Sequence, residues 1–305
     1  MEYDVIIVGG GPAGLTAGIY TARSLLRTLI IEKAVVGGQI ASSFEVENYS
    51  GLTEVVSGFE LTDTMRKQCE GFGARLISDE FIRFEVIDGG YEVHCENNTF
   101  KTKGIILAMG AHPKKLGAKG EDTLASCGVS YCATCDGAFF RDKNVIVVGG
   151  GDTALEEALF LTKFAKTVGI VYRRNVLRAT KILQDRARQN DKIQLRPETV
   201  IEEIKGKDFV ESVVFKDVKT GKTFEEPIDG VFMFVGQVPN TETIKGQIPM
   251  NEAGYVLTNE KMETPFPGVY VAGDMCVKPL RQVVTAASDG AVAAVQLSKY
   301  LESLE

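Results

Sequence analysis

Asp4-Val5-Ile6-Ile7-Val8-Gly9-Gly10-Gly11-Pro12-Ala13-Gly14 decides the fold, because the same pattern returns 140 residues later as Asn144-Val145-Ile146-Val147-Val148-Gly149-Gly150-Gly151-Asp152-Thr153-Ala154. Each copy is a β-branched apolar run that ends in glycines and opens into apolar residues at helical spacing. The spacing predicts a helix over about Ala13–Ser24 in the first copy and Thr153–Phe164 in the second. A further apolar strand follows each, Thr28–Glu32 and Thr167–Tyr172. Strand, glycine turn, helix and strand, twice over, is the unit of a doubly wound α/β fold.

The ends of the two units also correspond. Ile105-Ile106-Leu107-Ala108-Met109-Gly110 leads to Pro113, and Val231-Phe232-Met233-Phe234-Val235-Gly236 leads to Pro239. Both are strands closed by Gly-x-x-Pro, with glycine supplying a permissive turn. The second unit therefore sits inside the first. The expected organisation is two Rossmann-like dinucleotide-binding domains, residues 1–113 with 241–305 forming one and residues 114–240 the other. Gly268–Asp274 is expected as a returning strand and Val283–Leu301 as the closing helix. The crossings at Pro113 and Pro239 suit a hinge pair.

Gly9-x-Gly11-x-x-Gly14 allows a tight turn and close approach of backbone to a pyrophosphate at a helix N-terminus. Pro12 and Ala13 open that helix. Glu32, 23 positions beyond Gly9, ends the second strand, where an acid accepts hydrogen bonds from ribose hydroxyls. The second turn is Gly149-x-Gly151-x-x-Ala154, with Asp152 and Thr153 at the helix start. Tyr172 stands where the first unit has Glu32, followed by Arg173, Arg174 and Arg178. An acid there would repel a 2′-phosphate, whereas guanidiniums hold one through charge-assisted hydrogen bonds. That favours NADP over NAD. Asp152 suits a helix dipole but not a neighbouring pyrophosphate. Two nucleotide sites in one chain suggest one bound redox cofactor and one diffusible hydride donor.

Of six cysteines, only Cys132 and Cys135 form a local pair, in Cys132-Ala133-Thr134-Cys135-Asp136-Gly137. Such a pair points to redox or metal chemistry. A structural zinc site needs four ligands, and neither His94 nor His112 nor a second Cys-x-x-Cys completes one, so no metal is expected. Redox chemistry is left as the favoured alternative to two buried small side chains. Asp136 is the candidate for proton handling, with a turn carboxylate as the bland alternative. Cys69, Cys95, Cys127 and Cys276 are expected to be buried apolar residues.

The whole chain bounds these readings. Its 305 residues carry 34 basic and 41 acidic side chains, a formal charge of −7. A mildly acidic surface argues against a general nucleic-acid partner. No apolar run is long enough to span a membrane, and the opening Met1-Glu2-Tyr3-Asp4 does not look like a basic signal peptide. A cytoplasmic protein is expected.

Taken together, these residues resemble the low-molecular-weight thioredoxin reductases of bacteria and archaea. The marks are Gly9–Gly14, Gly37-Gly38-Gln39, Glu47-Asn48-Tyr49-Ser50-Gly51, Cys132–Gly137, Gly149–Ala154, Arg173-Arg174 with Arg178, and Gly273-Asp274 followed by Arg281-Gln282. The resemblance implies FAD on the first domain. Around it would lie Gly9, Gly11, Pro12, Ala13, Gly14, Glu32, Lys33, Gly38, Gln39, Asn48, Gly110, Gly273, Asp274, Arg281, Gln282 and Val283. It implies NADPH on the inserted domain, held by Gly149, Gly151, Asp152, Thr153, Ala154, Arg173, Arg174 and Arg178. It further implies a homodimer in which electrons pass from NADPH through FAD to a Cys132–Cys135 disulfide and then to oxidised thioredoxin. Cys135 would face the flavin, Cys132 would attack thioredoxin, and Asp136 would serve as acid–base. The inserted domain would rotate between the two half-reactions. Many relatives carry His at the positions of Tyr172 and Gln237, and Asn or Ser at Asp152. The alternatives are a related flavin disulfide reductase fed by NADH or reduced ferredoxin, or one serving another thioredoxin-like or peroxidase partner.

Overall fold

A computed structural model describes residues 2–43 and 46–304. The chain divides into two compact units, Met1–His112 with Val238–Glu305, and Pro113–Gln237.

The first unit begins with β1 (Tyr3–Val8), α1 (Pro12–Arg23) and β2 (Thr28–Glu32), followed by α2 (Gly58–Gly71) and β3 (Arg75–Ser78). An antiparallel run of β4 (Phe81–Ile87), β5 (Gly90–Cys95) and β6 (Thr99–Leu107) comes next. The sheet order is β3-β2-β1-β6-β5-β4. α1 starts one residue before the expected Ala13, with Pro12 at its first position, where a missing amide costs nothing and φ is preset. α2 opens on a capping box, in which the Ser57 side chain accepts from the Glu60 amide and the Glu60 carboxylate accepts from the Ser57 amide.

The chain then crosses through β7 (Ala111–Pro113) into the second unit. This holds β8 (Val129–Ser130), α3 (Ala133–Asp136), β9 (Asn144–Val148), α4 (Asp152–Leu161), β10 (Thr167–Tyr172), α5 (Lys181–Gln189) and β11 (Ile193–Pro197). A three-stranded antiparallel sheet of β12 (Thr199–Lys205), β13 (Ser212–Asp217) and β14 (Thr223–Pro227) precedes β15 (Gly230–Met233). The parallel sheet has the order β11-β10-β9-β15-β8. α4 stops at Leu161, short of the expected Phe164. Thr162 turns its hydroxyl back onto the Leu159 carbonyl at 2.6 Å, and the Lys163 and Phe164 amides tighten onto Phe160 and Leu161. A β-branched residue that back-bonds in this way suits a helix end better than a helix interior.

The return crossing is β16 (Gln237–Pro239), which pairs with β7. β17 (Val269–Val271) then lies beside the second half of β6, and α6 (Val283–Glu302) closes the first unit. β17 is shorter than the expected Gly268–Asp274 because both flanking glycines have positive φ, +81° at Gly268 and +84° at Gly273. α6 lies against α1 where Gly290 faces the Ala13 carbonyl, and a Cβ on Gly290 would stand 2.0 Å from that oxygen.

Candidate functional site

In the first unit the glycine turn is built against the strand beside it. A Cβ on Gly9 would stand 2.3 Å from the Ala108 carbonyl oxygen, and one on Gly14 would stand 1.8 Å from the Gly9 oxygen. Gly9 also has φ +106°. Gly11 differs, because its nearest neighbours are Gly38 Cα at 3.8 Å and the Gly37 oxygen at 4.0 Å. Space there, with no side chain capping α1, leaves the helix amides open to an anion. Two substitutions separate these roles. Gly14→Ala should destabilise the cofactor-stripped protein by about 1–3 kcal/mol. Gly11→Ala should leave its melting unchanged and lower the bound flavin. Thermal melts with flavin absorbance check this, and equal melting shifts for the two variants would refute it.

Glu32 closes the far side of the turn. Its carboxylate accepts from the Gly10 amide at 2.7 Å and from the Ala34 amide at 2.9 Å. Lys33 instead points to the surface and pairs with Glu80 at 3.4 Å.

Several expected residues from distant parts of the chain converge. Asn48 Nδ2 donates to Gln282 Oε1 at 3.2 Å, joining positions 234 residues apart. Arg281 donates to the carbonyls of Asp274 and Cys276, both at 3.2 Å, and its guanidinium lies 4.0 Å from the Tyr255 ring centroid. Gln39 donates to the Ala111 carbonyl. Val283 is buried as the first residue of α6. Gly110 has φ +66° and open space where a Cβ would be.

Asp274 is the informative member of this set. Its Oδ1 is buried without a hydrogen-bond partner among the described residues. Burial pushes its carboxyl above the ordinary aspartate value, against the opposing pull of Lys278 and Arg281. An orphaned buried oxygen leaves room for a donor from a bound molecule or an ordered water. Sequence reasoning missed the group that positions this loop. Asp289 accepts from the Gly273 amide at 3.1 Å and from Lys278, and both charged side chains are largely buried. An acid inside the apolar closing helix was the available signal.

The second unit repeats the construction. A Cβ on Gly149 would stand 2.3 Å from the Phe234 oxygen, as Gly9 stands to Ala108. Gly151 has open space, Ala154 is buried, and Tyr172 lies beside Gly150 as Glu32 lies beside Gly10. Asp152 has a local task that its sequence position did not reveal: its Oδ1 accepts from the Thr180 amide at 2.6 Å. The amides of Arg178 and Ala179 both donate to the Gly150 carbonyl, at 2.7 and 3.0 Å. The C-terminal end of the arginine loop is thus tied to the glycine turn. Thr153 is exposed at the start of α4.

Arg173, Arg174 and Arg178 are all exposed and border a cavity of about 410 Å³ together with Gly149 and Gly150. Among the described residues, no carboxylate lines it.

Cys132 and Cys135 are joined by a disulfide, with Cα atoms 5.4 Å apart, at the start of α3. The Cys135 amide donates to Cys132 Sγ at 3.1 Å, and Ser130 Oγ accepts from the Cys132 amide at 3.0 Å. Cys135 is exposed and Cys132 half-buried. Asp136 ends α3, half-buried, and its side chain caps neither α3 nor the 3-10 turn that follows. Cys69 and Cys276 are buried as expected, and burial pushes both thiols up to about 12. Cys95 and Cys127 are only half-buried, contrary to expectation. Cys95 ends a strand that alternates between core and surface, and Cys127 lies in the loop before β8.

Comparison with known proteins agrees with this geometry. The family model described as pyridine nucleotide-disulphide oxidoreductase matches residues 3–290. A thioredoxin reductase of Peptoclostridium acidaminophilum is 47% identical over 99% of this chain and 98% of its own. That of Bacillus subtilis is 45% identical over 99% and 96%. The crystal structure of Lactococcus lactis thioredoxin reductase in its FR conformation superposes with a TM-score of 0.96 at 43% identity, covering 99% of both chains. With its doubled glycine-turn fold and its disulfide in the segment that precedes the second copy, the chain belongs to the pyridine nucleotide-disulphide oxidoreductases, and among them to the thioredoxin reductases.

Proposed function

We propose that the protein is a cytoplasmic, homodimeric thioredoxin-disulfide reductase that takes its reducing equivalents from NADPH. The choice of donor rests on one observation: Arg173, Arg174 and Arg178 border a cavity that no carboxylate of the described residues lines, in a chain of net charge −7. In an acidic protein, cations gathered away from acids mark a site for an anion. The 2′-phosphate of NADPH is the group that distinguishes it from NADH.

Gly9–Gly14, Glu32 and Asp274 would hold FAD, whose chemistry would be to take up hydride and release electrons in pairs. The chain's own residues then supply the thiol chemistry. Hydride from NADPH plus one proton reduces the Cys132–Cys135 disulfide to two thiols, and exchange with oxidised thioredoxin restores the disulfide and releases reduced thioredoxin. The Cys135 amide that points at Cys132 Sγ favours thiolate on that sulfur, which supports Cys132 as the attacking group. Asp136, on the same short helix and engaged in no cap, is available to move the proton. Paired crossings at Ala111–Pro113 and Gln237–Pro239 support a hinge role for the linkers.

Anaerobic titration of the flavin-loaded protein tests the donor. NADPH should bleach the flavin much faster than NADH does. Equal rates would overturn the NADPH assignment, and bleaching by neither would turn attention to reduced ferredoxin.

A further inference from the structure

The cavity beside the arginine loop has a second basic wall. Lys114 and Lys115 border it from the segment that opens the inserted unit, about 60 residues before Arg173 in the chain. The two lysines are not equivalent. Lys115 Nζ is held by Asp122 at 2.7 Å, so its charge is already matched. Lys114 is exposed and has no ion pair among the described residues, a condition it shares with Arg173, Arg174 and Arg178.

The backbone under Lys114 is fixed. Its amide donates to the Gly236 carbonyl at 2.9 Å. Two residues on, the buried Glu121 carboxylate gathers the amides of Leu116, Gly117 and Ala118, at 2.9, 2.5 and 3.1 Å, and the Tyr131 hydroxyl at 2.6 Å. That knot holds the lysine's segment at the cavity rim, so only the side chain needs ordering when an anion arrives.

Resting on the reading of this cavity as the pyridine-nucleotide site, we propose that Lys114 is a fourth phosphate-binding cation, supplied from outside the arginine loop. A flexible ammonium is a point charge and needs no fixed bidentate geometry, so it complements the planar guanidiniums that border the same cavity. The phosphate it meets is either the 2′-phosphate or the pyrophosphate of one nucleotide.

Titration calorimetry of NADP⁺ and NAD⁺ into the flavin-loaded dimer tests this without turnover. Lys114→Ala should weaken NADP⁺ binding about tenfold at low salt, with a smaller loss at high salt. Lys114→Arg should restore most of the affinity, and Lys115→Ala should cost much less than Lys114→Ala. A loss confined to NADP⁺ assigns the lysine to the 2′-phosphate, and an equal loss for both nucleotides assigns it to the pyrophosphate. If an Arg173→Ala, Arg174→Ala double variant loses NADP⁺ while Lys114→Ala binds like the parent, the lysine assignment is overturned and the nucleotide site stands. If neither variant changes binding, the cavity is not the nucleotide site and both fall.

Discussion

Cys135→Ser should leave no steady thioredoxin reduction above background while the flavin still bleaches with NADPH. The sulfur pair is the only disulfide among the described residues, and all remaining cysteines are free. Cys69 and Cys276 are buried, with thiols pushed up to about 12, so neither supplies thiolate at neutral pH. Cys132→Ser should be equally inactive in turnover, yet the two variants should differ in one reaction. With its amide-stabilised sulfur intact, Cys135→Ser should exchange with a thioredoxin carrying an activated aryl disulfide and form a covalent adduct. Cys132→Ser should do so more slowly. Mass spectrometry of the adducts over time distinguishes them. Faster adduct formation by Cys132→Ser would reverse the assignment of the attacking cysteine.

The second large effect is a change of donor. Replacing Arg173 and Arg174 together by Gln removes two charge-assisted contacts to a phosphate that only NADPH carries. The KM for NADPH should rise about a hundredfold. The KM for NADH should change little, because its ribose carries no charge at that point. The loop itself should survive, since it is held by the Arg178 and Ala179 amides on Gly150 and by the Asp152 carboxylate on Thr180. A parallel rise for both nucleotides would mean a collapsed loop and not a lost phosphate contact. Circular dichroism with the KM ratio separates those outcomes.

What was legible in the sequence was whatever is decided locally. The two strands after the glycine turns fall at Thr28–Glu32 and Thr167–Tyr172, as their apolar runs predict. The closing helix starts at Val283 and passes Leu301 by one residue. Such elements declare themselves because strand, turn and helix must follow one another within a few residues. The antiparallel strands Phe81–Ile87 and Ser212–Asp217 left weaker marks, since each buries only two residues fully and mixes charged side chains among its apolar ones. The Ser57–Glu60 capping box was present in the letters and went unread. At the candidate site the spacing marked Cys132 and Cys135 as a redox candidate, and the family resemblance supplied the disulfide. The Asp289–Lys278 pair and the Lys114 wall depend on which distant segments the fold brings together, and one-dimensional spacing does not encode that.

The insertion has a consequence for the order in which the protein is made. Chains usually fold from the N-terminus as they leave the ribosome. Here the first unit is synthesised up to His112 and then waits, because β17 and α6 emerge only after the whole second unit. The waiting part has β1 paired with β2 and β6, but nothing covers the face of α1 that meets Gly290. The inserted unit, contiguous in sequence, can finish first. The middle of the chain should therefore become protease-resistant on the ribosome before its beginning does, and α6, translated after the whole inserted unit, packs onto the helix that opens from the Gly9–Gly14 turn.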